Sequence, residues 1–276
     1  MTMHDDEKLL HACRLRDEGE FCAAKREFME IAERTDDSIT RASALLFNIP
    51  VLAALGEFEL AADHIAAVAR ILERERETGP HTDGAGQQLR FLEVDLDMED
   101  AYLAWADGRS QEAATKFSRL LDKHSEKLRK PEFRLGREIA KARYAFVLAD
   151  LGRWQEALPI LKEAESFESF QEGVAFYLGH CYFAAADYVL ATEKLTKALS
   201  LGLPDNLKYR ALCELGMTCY QLGDYTQAKE YLEKGAAMAD KTYINKSQIW
   251  KWLELASRNL GQKEEAEYYS QLARPS

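Results

Sequence analysis

Residues 222–236 read "LGDYTQAKEYLEKGA", helix-forming residues interrupted by Gly223, with an aromatic, Tyr225, two places later and Ala228 three places after that. A glycine that ends one helix and an aromatic that starts the next describe a helical hairpin, because glycine enters the left-handed C-cap conformation without steric cost. The aromatic fills the gap between the two helices. The alanine lets them cross closely, where a larger side chain would push them apart.

The arrangement recurs. Gly19-Glu-Phe21-x-x-Ala24, Gly56-Glu-Phe58-x-x-Ala61 and Gly152-Arg-Trp154-x-x-Ala157 repeat it in full. Gly108-Arg-Ser110-x-x-Ala113 and Gly261-Gln-Lys263-x-x-Ala266 lose the aromatic, and Ala186-Asp-Tyr188-x-x-Ala191 replaces the glycine. Successive turn positions lie 37 residues apart from 19 to 56, then 52 to 108, 44 to 152, 34 to 186, 37 to 223 and 38 to 261. Two helices of about a dozen residues with two short turns need roughly 34 residues. Each interval therefore holds one hairpin. Beyond most of these alanines, apolar residues follow four and seven places on, as in Phe28 and Ile31, Ile65 and Val68, Leu161 and Ala164, Leu195 and Ala198. Upstream, Leu178-Gly179 aligns with Leu215-Gly216.

These residues resemble the tetratricopeptide repeat family, whose pattern is Leu-Gly, then Gly-x-aromatic, Ala, a further apolar residue and Ala, often closed by Pro. The fifth and sixth copies carry it best, the first three are degenerate, and the closing proline has a counterpart only near Pro204. The resemblance implies an all-α, right-handed superhelical solenoid of about seven antiparallel hairpins. One array is expected over 1–276, with approximate repeats 5–38, 42–78, 87–122, 132–168, 172–204, 207–240 and 246–274. The alternative is a generic helical bundle, which has no reason to repeat the aromatic and alanine offsets.

Two intervals are stretched. In "RERETGPHTDGAGQ", residues 74–87, Gly79-Pro80 and two further glycines predict an exposed loop. Residues 123–143 hold eight Lys or Arg against three Glu. They read either as an anionic-partner site or as a loop and the polar face of a long helix. The second reading is preferred, because Phe133 is the one aromatic there that could stack on a base.

Composition narrows the function. With 47% hydrophobic residues the chain can build a core, and a formal net charge of −11 disfavours phosphate backbones and anionic membrane surfaces. Five cysteines without a C-x-x-C pair point to reduced thiols rather than a disulfide framework. The charged opening "MTMHDDEKLL" lacks the apolar stretch of a signal peptide, and the apolar segment 42–56 is short for a membrane span and contains Asn48 and Pro50. A cytoplasmic location is expected. Pro50 should kink its helix.

No phosphate loop, nucleophile elbow or H-E-x-x-H is present, and His11/Cys13 and His180/Cys181 are spaced so that helical neighbours diverge. No catalytic residue, metal or cofactor is expected. Family resemblance implies instead that partners dock on a concave face built by the first helix of each hairpin. With each turn residue counted as position 15, that face falls at positions 2, 5, 6, 9, 12 and 13. The third and fourth repeats then contribute Met98, Tyr102, Trp105, Arg143 and Phe146. The fifth contributes Phe176, Tyr177, His180 and Phe183. The last two contribute Arg210, Met217, Tyr220, Lys251, Trp252 and Arg258. Such an aromatic patch marks either a contact surface or packing between hairpins.

Charge on this face divides. Asp6, Asp17, Asp95 and Glu99 stand against Arg16 in the first three repeats; Arg143, Arg210, Lys251 and Arg258 stand against Asp150 and Glu214 in the rest. The cationic half is expected to orient acidic groups of a ligand. The carboxylate clamp that some family members use needs Asn at position 9, which reads Cys13, Pro50, Tyr102, Phe146, His180, Met217 and Leu255 here. That clamp is not supported. The reading is a non-enzymatic adaptor or scaffold for a protein or peptide segment. Alternatives are a ligand- or peptide-responsive sensor acting through a separate protein, and a homo-oligomer formed through the C-terminal end, where Tyr268, Tyr269 and Leu272 lack a capping helix.

Overall fold

The computed structural model describes residues 3–77, 84–167, 169–239 and 247–274, and among them every regular element is helical. Two compact units are distinguishable, Met1–Val147 and Leu148–Ser276, with the boundary inside one helix.

The first unit contains α1 (Met3–Asp17), α2 (Phe21–Arg34), α3 (Ser38–Ala54), α4 (Phe58–Glu77), α5 (Gly84–Ala106), α6 (Ser110–Lys123), the short α7 (Ser125–Leu128) and most of α8 (Arg134–Asp150). Sequential helices pack in pairs, α1 on α2, α3 on α4 and α5 on α6. The first helices of successive pairs also touch, α1 on α3 and α3 on α5, which makes them an inner layer. In the second unit α9 (Trp154–Ala164), α10 (Gln171–Ala184), α11 (Tyr188–Leu201), α12 (Asp205–Gln221), α13 (Tyr225–Ala239), α14 (Ser247–Asn259) and α15 (Lys263–Leu272) follow the same scheme. There α10 pairs with α11, α12 with α13 and α14 with α15, while α10, α12 and α14 form the inner layer.

All seven turn positions adopt the left-handed conformation: six are glycines with φ between 73° and 84°, and the seventh is Ala186 at φ 58°. Each closes its helix by a pair of reversed bonds. The Gly223 N–H donates to the Tyr220 carbonyl at 3.0 Å and the Asp224 N–H to the Cys219 carbonyl at 2.9 Å. Carbonyls that would otherwise end the helix unpaired are thereby satisfied. The alanine of every copy is buried, as are Phe28, Ile31, Val68, Leu161 and Leu195 behind it. Each such Leu, Ile or Phe contributes about 1.5–3 kcal/mol by leaving water. The Leu-Gly glycines are a closer fit still. A Cβ on Gly179 would lie 2.6 Å from Leu195 Cγ, and one on Gly216 would lie 2.5 Å from Leu232 Cγ. Only hydrogen fits there.

Both ends of the loop expected over 74–87 are helical. The extra residues before Gly108 lengthen helices, since α4 runs to Glu77 and α5 starts at Gly84; residues 78–83 lie outside the described residues. Gly84 and Gly86 fall in the first turn of α5, where glycine is tolerated, and Arg76 Nη2 bonds Glu93 Oε1 at 2.7 Å between the two helices. In the second stretched interval α7 and a 3-10 turn (Pro131–Phe133) precede α8. Phe133 is buried with its ring 4.4 Å from that of Phe91. The cations of this insertion meet α5: Lys123 Nζ reaches Asp97 at 2.7 Å, and Lys127 Nζ reaches Glu93 at 2.5 Å. The local positive excess is therefore partly neutralised. Helix α3 continues through Pro50 to Ala54. No helix among the described residues is long and apolar enough to cross a membrane.

Candidate functional site

The projected residues come together in two inner-layer clusters, one in each unit. In the first, α5 presents Asp95, Glu99, Tyr102 and Trp105, and α8 presents Arg143 and Phe146. Arg143 Nη1 donates to Glu99 Oε1 at 2.8 Å, and its guanidinium lies 4.6 Å over the Tyr102 ring. Trp105 stands 6.3 Å from both the Tyr102 and Phe146 rings. Two carboxylates thus share one arginine. Burial, reinforced by the Glu99 charge and opposed by Arg143, pushes the Asp95 carboxyl up to about 7. The second Glu99 oxygen, Oε2, is buried with no hydrogen-bond partner.

In the second unit Asp150, at the end of α8, accepts from Arg210 Nη2 at 2.9 Å and from the Tyr177 hydroxyl at 3.1 Å. The Arg210 guanidinium lies 4.9 Å over Phe176 and 5.7 Å over Tyr177. One turn along α10, His180 Nδ1 contacts Glu214 Oε1 of α12 at 2.8 Å. Burial alone would depress the imidazole, but the Glu214 bond and charge hold it above its ordinary value. Glu214 Oε2, like its counterpart in the first unit, is buried and unpartnered.

Burial sorts the projected aromatics. Phe176 and Tyr177 are 0% and 1% exposed, and Met98 and Phe146 are also buried, so these four form the floor of the clusters and offer no contact surface. Large rings at positions 5, 6 and 9 fill the space between neighbouring inner helices, and that packing takes them out of water. Tyr102, Trp105, His180, Phe183, Met217, Tyr220 and Trp252 are half-buried, and Lys251 and Arg258 are exposed. Tyr220 centres a small ledge, 5.2 Å from the Tyr225 ring and 5.3 Å from the Trp252 ring.

The charge division by repeat also needs correction. Arg143, placed with the cationic half, is bonded to Glu99 of the acidic half; Arg210 is bonded to Asp150, and Arg258 Nη2 to Glu254 at 2.6 Å. Ion pairs within and between helices, which single-position counting does not see, neutralise three of the four cations of the proposed field. Glu99 and Glu214 were legible only as charges on the inner face. What marks them is a partner on the next helix.

No group of three or more His, Cys, Asp or Glu is placed to hold a metal ion among the described residues. The five cysteines are unbridged, and burial pushes the Cys181 thiol up to about 12, far from a reactive thiolate.

No family model matches the chain, and no curated protein matches it. Among solved structures it is similar to the apo form of RapI, with a TM-score of 0.65 and 13% identity over 98% of this chain and 75% of that one. It is also similar to PilW, a widely conserved type IV pilus biogenesis factor, with a TM-score of 0.58 and 14% identity over 84% of this chain and 91% of that one. A mutant of MamA gives a TM-score of 0.51 and 15% identity over 67% of this chain and 97% of that one. Identities this low speak to fold. Together with seven left-handed turns in register, they establish that the chain has the all-helical repeat fold of the tetratricopeptide type.

Proposed function

We propose that this chain is a non-enzymatic scaffold that binds a peptide or protein segment on the inner helices of its repeats. The observation that carries the reading is the half-buried aromatic ledge of Tyr220 and Trp252 on α12 and α14. Its edge continues into exposed Lys251 and Arg258. Rings that are half covered by their own fold retain apolar area for a partner to bury, and such rings carry most of the energy in protein interfaces. Arg143, Arg210 and Arg258 have no part in orienting acidic ligand groups in this reading, because carboxylates of the chain already hold them.

The test is a pull-down with the full chain, comparing wild type with the Tyr220→Ala/Trp252→Ala double variant after circular dichroism has shown equal helicity. Partners recovered by wild type and lost with the variant support the ledge. Equal recovery moves the contact elsewhere. A mass that rises with concentration and falls on Tyr268→Ser, a ring 58% exposed on α15, would instead favour a contact between copies.

A further inference from the structure

The inner layers hold an imbalance in hydrogen bonding that points to the chemistry of the bound segment. Among the described residues the buried side-chain atoms without a partner are two carboxylate oxygens, Glu99 Oε2 and Glu214 Oε2, and neutral groups of Asn48 and Ser257. A buried carboxylate oxygen without a donor is costlier than a neutral orphan, because the ionised group has lost more hydration. Both glutamates are 8% exposed. They also occupy one position in the repeat, nine residues before the turn glycines Gly108 and Gly223.

The arginines and the histidine of the two clusters each bond a different oxygen. Arg143 binds the other oxygen of Glu99, Arg210 binds Asp150, and His180 contacts the other oxygen of Glu214. What is left over in each unit is acceptor capacity with negative charge. In the first unit Asp95 adds a second carboxylate beside the single arginine.

We infer that each inner layer receives one basic side chain of the bound segment, with Glu99 as its acceptor in the first unit and Glu214 in the second. This rests on the scaffold reading above and names the ligand class: a lysine- or arginine-bearing segment. A guanidinium or ammonium supplies the missing N–H to Oε2, and in the first unit the half-buried Tyr102 ring beside Glu99 gives its stem and charge a face to lie on. His180, whose side chain is 24% exposed against 10% for Glu214, is the group such a ligand meets first. The formal net charge of −11 steers the same class of ligand toward the chain.

The experiment is fluorescence anisotropy of the full chain with three labelled peptide pools. The pools are matched in length, leucine and tyrosine content, and differ only in carrying two Arg, two Gln or two Glu. The Arg pool should bind about tenfold more tightly than the Gln pool, the increment of a charge-assisted bond, and the Glu pool more weakly still. Glu99→Gln and Glu214→Gln, which keep side-chain shape, should each lower affinity for the Arg pool several-fold. Glu59→Gln, an equal charge change at an exposed position of α4, should not. Equal binding of the Arg and Gln pools that is lost in Tyr220→Ala/Trp252→Ala overturns the acceptor assignment and leaves the scaffold reading standing. So does an equal loss in all three glutamine variants, which makes the preference one of net charge. Failure of every pool to bind overturns both readings.

Discussion

In the first unit Arg143 faces two carboxylates, Asp95 and Glu99; in the second Arg210 takes Asp150, and Glu214 is left to a histidine. The floor differs as well. Position 8 of the inner helices is Ala12, Ile49, Ala101 and Ala145 in the first unit; in the second it is Gly179, Gly216 and Glu254, and Leu195 and Leu232 press against the two glycines. The same inner-layer plan is thus built once around two carboxyls and a single arginine, and once with a histidine partner and, on two of its helices, closer packing. Repeats that share a skeleton still diverge at the positions that decide what the inner layer can hold.

The largest effect that would break this comparison concerns the floor. Phe176 is fully buried beneath Arg210, so Phe176→Ala should cost about 3–5 kcal/mol, read from the urea midpoint of unfolding. Trp105→Ala in the first unit removes a half-buried ring and should cost clearly less. Equal losses would mean that the two clusters are packed alike. The next effect tests the close crossing. Gly216→Ala puts a methyl group where Leu232 and the Ala228 carbonyl oxygen already lie within 3.0 Å, an overpacking worth about 1–3 kcal/mol. A neutral or stabilising outcome would show that α12 and α13 separate freely.

Protonation separates the units next. An aspartate ordinarily titrates near 4, and Asp95 is held up to about 7 in the folded chain. Between those values the folded state keeps a proton that the unfolded state has lost, so the contribution of Asp95 to stability falls as pH rises through that window. Asp95→Asn should remove this slope and stabilise the chain at pH 8, as checked by denaturation at several pH values. His180, raised by Glu214, acts higher on the scale. Its stabilisation is complete below about 6.5 and is lost as pH rises through its folded value. A slope between pH 4 and 7 that persists in Asp95→Asn would assign it to another group.

The fold was legible because its signals are local. A glycine, an aromatic and an alanine at fixed offsets report one turn and one crossing, and the Ala186 copy kept its place in the register without the glycine. The extent of the stretched repeats was less so. Gly84 and Gly86 read as loop residues, yet they form the first turn of α5, which the Arg76–Glu93 pair ties to α4. The site was harder. A helical wheel tells which side of α10 Phe176 and Tyr177 face, but not that the neighbouring inner helices close over them. Pairing such as Arg143 with Glu99, 44 residues apart, is set by the stacking of two hairpins and leaves no local trace.

The smallest effect tests the turns on which the whole register rests. Six copies place glycine at the left-handed position, whereas Ala186 sits there at φ 58°. An L-residue in that conformation costs about 1–2 kcal/mol through the approach of its Cβ to the following carbonyl oxygen. Glycine escapes the clash but loses more chain entropy on folding, so Ala186→Gly should gain only about 0.5–1 kcal/mol. At Gly223, φ 84° with open space around a built Cβ, the reverse change meets backbone strain alone and should cost about 1 kcal/mol. The two substitutions therefore move the denaturation midpoint in opposite directions by similar amounts. If Ala186→Gly leaves it unchanged, the closing bonds from Asp187 to the Tyr182 carbonyl and from Ala186 to the Phe183 carbonyl hold the turn with no strain to release. The glycines of the other copies would then reflect the entropy and exposure of those turns rather than a steric requirement.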